Sequence, residues 1–593
     1  MSSCLSLLDY NPRSGSLCKT AEPRCSVEPG GADVPKPYVR LAQPMTAAPP
    51  APSVRGSTPE PPPSPSGQLV RSASVVGAAT MTSRLLGLVR DQVLAYLFGA
   101  GNAMDAFYIG FRIPNMMRDL FAEGAMSAAF VPTFTRRLTT QGRAQAWHLG
   151  NQLINALLLA TGLIVVVGIV FARPLVTLLA GDFGDVEGKL ELTTQLTRIM
   201  LPFLSLVAIA AVLMGMLNSL QQFFTPALSP AMFNLAMIAS GFALVPVMPS
   251  LGLPPITGMG LGALVGGVGQ VLLQWPALHR AGFRYRPTLD PRDPGLREVL
   301  RLMGPGTLGL AAVQINLLVN TVLATGEGTG AVSWLSYAFR LMYLPIGLFG
   351  VSIATAALPT LARQAARQAP DEMRRTVSSG LRLMLMLNVP ATVGLVALAA
   401  PIVALIFERG NFTAADTAAT AAALTFYAPG LLGYSAVKIA VPTFYALKDS
   451  RTPALVSIAS VGLNVALNLV LVRFMGFRGL ALGTSIAALL NAGALLVLLQ
   501  RRFEGLEAQR ITVAFFKISV AAAAMGWAAL ATERWLATFW IDPSTWQRAI
   551  GVGSAIGVGV VVLAGAARVL RIEEFDEAVR RLTARLSTPR SAV

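Results

Sequence analysis

The sequence predicts an all-α polytopic membrane protein with about fourteen transmembrane helices, and three observations support this prediction. Of its 593 residues, 54% are hydrophobic and 13% are charged, and the mean hydropathy is +0.59. Soluble domains carry about 25% charged residues. The apolar runs continue over about 20 residues, which is the length of a bilayer-spanning helix, and they lack the alternation typical of outer-membrane barrels.

The predicted segments divide the chain into five parts. Residues 1–68 are rich in Pro, Ser, Gly and Ala and predict a disordered cytoplasmic tail that lacks the apolar core of a signal peptide. Residues 571–593 predict an amphipathic helix on the cytoplasmic membrane surface, with a plain solvated helix as the alternative. The predicted transmembrane segments are approximately 70–98, 103–137, 144–180, 190–221, 225–247, 257–280, 295–325, 329–365, 371–407, 414–447, 451–474, 477–502, 510–533 and 545–570.

The loops between these segments alternate in charge. Arginines and lysines follow predicted helices 2, 6, 8, 10 and 12, whereas the opposite loops GDFGDVEG, VMPSLGLPPITG and GEGTG contain neither residue. The positive-inside rule therefore predicts that both termini are cytoplasmic. Arg473, Arg478, Arg534 and Arg548 lie on the other side and depart from this rule. The net charge of +17 is spread over loops, which argues against a nucleic-acid partner.

Side chains typical of metal and covalent chemistry are scarce. The three cysteines, Cys4, Cys18 and Cys25, all lie in the tail, and the two histidines, His148 and His279, lie near segment ends. The sequence contains no H-E-x-x-H motif, P-loop, nucleotide-binding loop or paired-Asp metal motif. We therefore expect transport without a cofactor, and a membrane enzyme is the least supported class.

An internal repeat relates the two halves of the chain. One offset of 227 residues matches three prolines, Pro132, Pro174 and Pro226, to Pro359, Pro401 and Pro453. Six helices per repeat is an even number, so the two repeats enter the membrane in the same direction. The repeat predicts an N-terminal lobe over 69–290 and a C-terminal lobe over 291–505 around a central cavity. Helices 13 and 14, over 506–570, stand outside it.

Charged residues at membrane depth are the main candidates for function. A charge there costs roughly 2.5 to 3.5 kcal/mol on insertion scales and usually faces a wet cavity. Arginine stays ionised and matches phosphate oxygens, so converging arginines suit a diphosphate, whereas pairing with nearby carboxylates or snorkelling is the alternative. The spacing of Arg84 and Asp91 favours a pair, and a target shared by Arg84 and Arg90 requires a bend at Gly87. The basic set is Arg84, Arg90, Arg112, Arg118 and Arg340, and Arg112 is the repeat mate of Arg340.

A second polar set consists of intramembrane amides. Asn464 and Asn468 share a helix face, and Asn320 and Thr484 lie on neighbouring segments. These residues predict either an ion site or interhelical hydrogen bonds, and the latter is the commoner role of membrane asparagine. Lys438 is a lone amine on predicted helix 10, suited either to a gate or substrate contact or to snorkelling.

Five stretches together resemble one family. They are SRLLGLVRD (83–91), DAFYIGFRIPNMMRDLFAEGAMSAAFVP (105–132), GMLNSLQQFFTPALSPAMFN (215–234), SYAFRLMYLPIGLFG (336–350) and ERGNFTAADT (408–417). They resemble the MurJ/MviN family, bacterial lipid II flippases of the MOP exporter superfamily. The resemblance implies a fourteen-helix fold with a V-shaped cavity. Its implied activity is transfer of undecaprenyl-diphosphate-linked disaccharide-pentapeptide across the cytoplasmic membrane for peptidoglycan synthesis.

The resemblance also implies roles for individual residues. The essential cavity arginines of the family fall on Arg84, Arg90, Arg118 and Arg340, and its polar positions on Ser83, Asp91, Asp105, Asn115 and Glu123. Two departures concern Phe339 and Tyr343, where some members carry acidic residues, and Asn320 and Asn468, where some carry Asp. The second departure bears on sodium coupling.

These observations predict a lipid II flippase of the bacterial inner membrane that works by alternating access. The undecaprenyl tail would lie in lipid along helices 13 and 14, and the membrane potential would contribute to the driving force. Two alternatives stay open: a multidrug or polysaccharide-lipid exporter of the same superfamily, and a non-transporting scaffold for cell-wall synthesis proteins.

Overall fold

The computed structural model describes residues 65–119, 126–347, 351–540 and 543–576. Within these ranges the chain is all-helical, as predicted, with twenty α-helices and two short 3-10 turns. The predictions for residues 1–64 and for the final residues from 577 onward lie outside the described residues. The helices are α1 (Pro65–Phe98), α2 (Asn102–Arg118), α3 (Met126–Thr140), α4 (Arg143–Val170), α5 (Ala172–Ala180), α6 (Lys189–Met200), α7 (Phe203–Ser219), α8 (Phe224–Ala243), α9 (Thr257–Arg280), α10 (Pro294–Thr325), α11 (Ala331–Pro345), α12 (Val351–Ala366), α13 (Pro370–Ala397), α14 (Ala399–Phe407), α15 (Ala414–Tyr427), α16 (Gly430–Ala446), α17 (Arg451–Met475), α18 (Phe477–Arg502), α19 (Ala508–Ala537) and α20 (Thr545–Val569).

Several predicted segments contain two helices in place of one. Phe171 leaves helical geometry between α4 and α5, with φ −95° and ψ 20°, and Leu398 does the same between α13 and α14. The α15 and α16 pair is bent by 43°. Within the described residues, nine spans are long and apolar enough to cross a membrane, or ten with that bent pair. The count of fourteen spans stays a prediction.

The helix bounds reproduce the repeat seen in the prolines. Helices α4 and α13 begin at Arg143 and Pro370 and both contain 28 residues, and α5 and α14 begin at Ala172 and Ala399 and both contain nine. Helices α7 and α16 both contain 17 residues, from Phe203 and Gly430. Each pair is separated by the same 227 residues. The two repeats therefore fold into the same succession of helices.

The packing follows the two repeats. In the first, α8 packs on α1 and α9, and α7 packs on α4 and α9; in the second, α18 packs on α16 and α17. Helices α19 and α20 pack on each other, and α19 also packs on α13. A single buried apolar cluster includes Phe107 from the first repeat and Tyr337 and Phe412 from the second. These residues join the repeats near the arginine-poor loops, and a cavity lies between the repeats away from that junction.

Candidate functional site

A cavity of about 630 Å³ lies between the two repeats and is lined by α1, α2, α7, α8, α9 and α11. Seven of the nine predicted substrate-binding residues line it. Asp105 lies elsewhere, and Glu123 is outside the described residues. The charged and amide side chains of the wall, with Ser83, are Ser83, Arg84, Arg90, Asp91, Arg112, Asn115, Arg118, Asn234, Gln270, Gln274 and Arg340.

Asp91 joins the two walls of this cavity. Its side chain is fully buried; one carboxylate oxygen lies 2.8 Å from Arg90 Nη2, and the other lies 2.5 Å from Arg340 Nε. Arg340 has no acidic neighbour on its own helix, and its partner comes from α1 of the other repeat. The pairing of Arg84 with Asp91, expected from their spacing, is not the one observed. The Asp91 and Arg340 pair thus links α1 to α11.

Arg90 is fixed by contacts on several sides. Its Nε and Nη2 donate to Asp91, its Nη1 donates to Asn234 Oδ1 at 3.1 Å, and its guanidinium lies 5.7 Å from the centre of the Phe233 ring. Asn234 Nδ2 in turn donates to the carbonyl of Ser83 at 3.0 Å. Asn234 ends the third stretch that resembles the family, but it was not among the predicted site residues. It orients Arg90 and ties α8 to α1.

Arg84 lies against the backbone of α11. A Cβ placed on Gly347 would lie 1.2 Å from Arg84 Nη1, so the guanidinium occupies space that only a glycine leaves open. Helix α1 continues through Gly87 without a break, which corrects the expectation that a bend there is needed. Arg84 and Arg90 both line the cavity from this unbroken helix.

Two further arginines line the wall formed by α2. Arg118 pairs with Asp119 at 2.7 Å, and Gln314 of α10 donates to the other oxygen of that carboxylate at 3.3 Å. Arg112 was recognised as the repeat mate of Arg340 but was not included among the predicted site residues. Its Nε is buried and has no hydrogen-bond partner among the described residues. It is therefore a cavity cation whose bonding capacity is only partly used.

Asp105 has a different position and different partners. Its fully buried carboxylate accepts from Lys189 Nζ at 3.0 Å and Gly330 N–H at 2.8 Å, and from the N–H and Oγ of Ser333 at 3.1 and 2.6 Å. These donors include the free N–H groups at the start of α11, where a negative charge is favoured. Asp105 thus caps a helix of the second repeat from a helix of the first.

Comparisons with known proteins agree with this geometry. Residues 94–547 match the family model described as lipid II flippase MurJ. The chain belongs to the MurJ family. It is 35% identical over 507 residues to the probable lipid II flippase MurJ of Vibrio cholerae, covering 83% of this chain and 94% of the relative. It is also 35% identical over 438 residues to the lipid II flippase MurJ of Burkholderia cenocepacia, covering 73% and 84%.

Solved structures show the same fold. A MurJ lipid II flippase in an inward closed conformation superposes with a TM-score of 0.68 at 25% identity, covering 84% of this chain and 99% of that one. An inward-facing MATE multidrug transporter of the MOP superfamily superposes with a TM-score of 0.61 at 18% identity, covering 74% and 99%. The latter likeness concerns the fold alone. The MurJ family comprises transporters and not enzymes, so the chain is a multi-pass membrane transporter of the MOP fold.

The predicted amide set forms one cluster in this MurJ-family chain. Asn468 Nδ2 donates to Asn320 Oδ1 at 2.6 Å and to Asn464 Oδ1 at 2.9 Å, and Asn320 Nδ2 lies 3.4 Å from Thr484 Oγ1. The cluster joins α10, α17 and α18. No group of three or more His, Cys, Asp or Glu residues suited to a metal occurs in the described part of the chain. Neutral amides bonded to each other favour interhelical linkage. Lys438 is exposed on α16 and is not part of this cluster.

Proposed function

We propose that the chain moves lipid II from the cytoplasmic to the outer leaflet of the bacterial cytoplasmic membrane by alternating access. The observation that supports this most is the convergence of arginines from both repeats on one cavity. The positive-inside pattern places both termini and the arginine-rich loops in the cytoplasm. The inter-repeat contacts on the arginine-poor side then close the cavity toward the outside.

The diphosphate of lipid II is the group that these arginines suit. Planar guanidinium forks bind phosphate oxygens in pairs, and their strength increases where water is excluded. In the ligand-free cavity Asp91 neutralises part of the charge of Arg90 and Arg340. A bound diphosphate would compete with Asp91 for these two cations, and Arg84, Arg112 and Arg118 would add further donors. Ser83 and Asn115 supply neutral polar contacts on the same wall.

Release outside requires the inter-repeat contacts on the arginine-poor side to break while the walls separate. The undecaprenyl tail would remain in lipid along α19 and α20 during this movement. Each charge that crosses a potential of 100 mV gains about 2.3 kcal/mol, so the membrane potential is a sufficient driver for a charged transport step. The neutral amide cluster around Asn468 serves in this proposal as an interhelical joint, and coupling to sodium is not required.

A rescue assay in cells depleted of their flippase tests the proposal. Arg84→Ala and Arg340→Ala should abolish growth because each removes a diphosphate donor from one wall. Arg502→Ala is the matched control, since Arg502 pairs with Asp449 outside the cavity. Normal rescue by either cavity variant at normal protein level would contradict the assignment. Rescue by a chain lacking residues 1–68 separates transport from a scaffold role that depends on the tail.

Purified protein in liposomes tests the substrate. Lipid II should cross the bilayer faster than it does with the Arg84→Ala variant, with or without a sodium gradient. Equal transport of unrelated drugs or of other polyprenyl diphosphates would favour a broader exporter. Partners among cell-wall synthesis proteins are proposed only from the family's place in peptidoglycan synthesis.

A further inference from the structure

The segment 408–413 connects α14 to α15 and bonds to the other repeat. The N–H of Asn411 donates to the carbonyl of Tyr96 at 3.0 Å, and its side-chain amide donates to the carbonyl of Leu97 at 2.6 Å. Tyr96 and Leu97 belong to the last turn of α1. This segment is therefore a second inter-repeat contact on the arginine-poor side, separate from the Asp105 cap.

Two glycines allow the backbones to approach at this contact. Gly410 has φ +62°, and a Cβ there would lie 2.3 Å from the carbonyl oxygen of Tyr96. Gly99 has φ +61°, and a Cβ there would lie 2.3 Å from the carbonyl oxygen of Asn411. Left-handed backbone favours glycine, and neither position has room for a side chain. The contact thus depends on where the backbone of segment 408–413 is held.

Arg548 of α20 binds the first residue of this segment. Its Nη2 donates to the Glu408 carboxylate at 2.9 Å, and its Nη1 lies 3.5 Å from the Glu408 carbonyl oxygen. Thr417 Oγ1 donates to the other carboxylate oxygen of Glu408 at 2.6 Å. Contacts therefore run from α20 through Glu408 and Asn411 to the end of α1.

Arg548 occupies an unfavourable place by two general rules. It lies in the first turn of α20, where the helix dipole disfavours a cation, although Ser544 and Gln547 already form a capping box there. It also lies on the arginine-poor side, against the positive-inside pattern. Residues that break local rules concentrate at functional positions. The pair with Glu408 is the contact that accounts for this arginine.

We propose that Arg548 is a positioning residue for closure of the arginine-poor side. By holding both the carboxylate and the carbonyl of Glu408, it fixes segment 408–413 against α1, so that the position of α20 influences whether the two repeats are closed. The proposal rests on the alternating-access function above. It adds a specific role for the two helices outside the repeat, which would otherwise only line a lipid-facing surface.

Distance measurements between spin labels test this role without any substrate. Cys4, Cys18 and Cys25 are replaced by Ser, and labels are attached at Glu187→Cys and Ala415→Cys, two exposed positions of opposite repeats near the contact. The protein is reconstituted in phospholipid liposomes. Arg548→Met retains the apolar stem but removes the donors, and we expect the ratio of long to short distances to rise roughly two- to fivefold.

Two further variants define the outcomes. Arg548→Lys should restore most of the short-distance population, and Arg502→Met, which breaks the Asp449 pair, should leave the distribution unchanged. Glu408→Gln provides an independent variant if Arg548→Met does not fold. A wild-type distribution in Arg548→Met or Glu408→Gln, or an equal shift in Arg502→Met, would overturn the proposal. Because lipid II is absent, a failure of lipid II transport would not alter this readout.

Discussion

Asp91 and Asp105 are two fully buried aspartates of the first repeat, and each binds a residue of the second repeat. The cations that pair with them differ in exposure. The Arg340 side chain beside Asp91 is 42% exposed, whereas the Lys189 side chain beside Asp105 is 2% exposed. A buried carboxylate can therefore build either an exchangeable site or a fixed joint, and the water access of its partner decides between them.

The donors around each carboxylate sharpen this contrast. Both oxygens of Asp105 are used, one by Lys189 and Gly330 and the other twice by Ser333. A ligand finds no free donor there. Around Asp91 the guanidinium groups also line the cavity, so their remaining N–H groups can bind a phosphate without loss of the fold.

The largest expected effect belongs to Asp105→Asn. This change leaves the Lys189 ammonium buried without its counter-charge, which costs about 3–5 kcal/mol when one partner of a buried pair is removed. Thermal unfolding in detergent should show a lower midpoint and reduced protein yield. Adding Lys189→Met should recover part of the loss. An unchanged midpoint in the single variant would show that Asp105 is not a fixed joint.

The second effect concerns the cavity and the fit of Arg84. Gly347→Ala would place a methyl group on the Arg84 guanidinium and displace it from the wall. Misplacement of a binding group by about 1 Å can cost up to a hundredfold in rate, so we expect at least a tenfold loss of lipid II transport with a small change in stability. Gly162→Ala on α4 is the control, because a Cβ there meets nothing within 4 Å. Equal transport by both variants would show that Arg84 does not need this position.

Local patterns in the sequence were sufficient to predict the helices and the repeat. Pro132 and Pro359 reported an offset that the bounds of α4 and α13 reproduce, since apolar runs and prolines act over a few residues. The same reasoning brought Arg84, Arg90 and Arg340 to one cavity. Fourteen spans could not be confirmed in this way, because short helices broken at residues such as Phe171 are not long apolar spans.

Partner choice could not be predicted, since it depends on contacts between distant segments. Spacing along α1 favoured Arg84 for Asp91, whereas the partner from outside α1 is Arg340, 249 residues away. Asn234 lay within a recognised stretch, yet only the approach of α8 to α1 reveals its bond to Arg90. Asp105 carried the same intramembrane charge as Asp91, and only the start of α11 identifies it as a cap.

The third effect tests the exchangeable aspartate. Asp91→Asn should lower stability by only about 1 kcal/mol, because Arg90 and Arg340 can be hydrated from the cavity once the carboxylate is neutralised. The same change should weaken transport, since the two arginines lose the group that orients them. Unfolding midpoints compared with those of Asp105→Asn measure the contrast directly. A loss as large as that of Asp105→Asn would remove the distinction between the two aspartates.

The smallest effect concerns a third carboxylate, Asp293, which caps α10 near water. Its carboxylate accepts from the N–H of Leu296 at 2.8 Å and pairs with Arg137 at 3.0 Å. Burial opposes the shift, but these hydrogen bonds and the Arg137 charge together lower the pKa of Asp293 below its usual value. A lowered pKa means that the stabilisation is present above the unfolded value and is lost as the pH falls through the folded value.

Asp293→Asn retains a capping oxygen but removes the charge, so a loss of about 1 kcal/mol is expected near pH 7. Unfolding midpoints of wild type and variant should differ by a constant amount from about pH 5 to 7 and converge below about pH 4. Asp371→Asn is the control, since the Asp371 side chain is 78% exposed. A difference that persists in acid would mean that the cap geometry and not the charge stabilises this joint, and the contrast with Asp105 would then rest on burial alone.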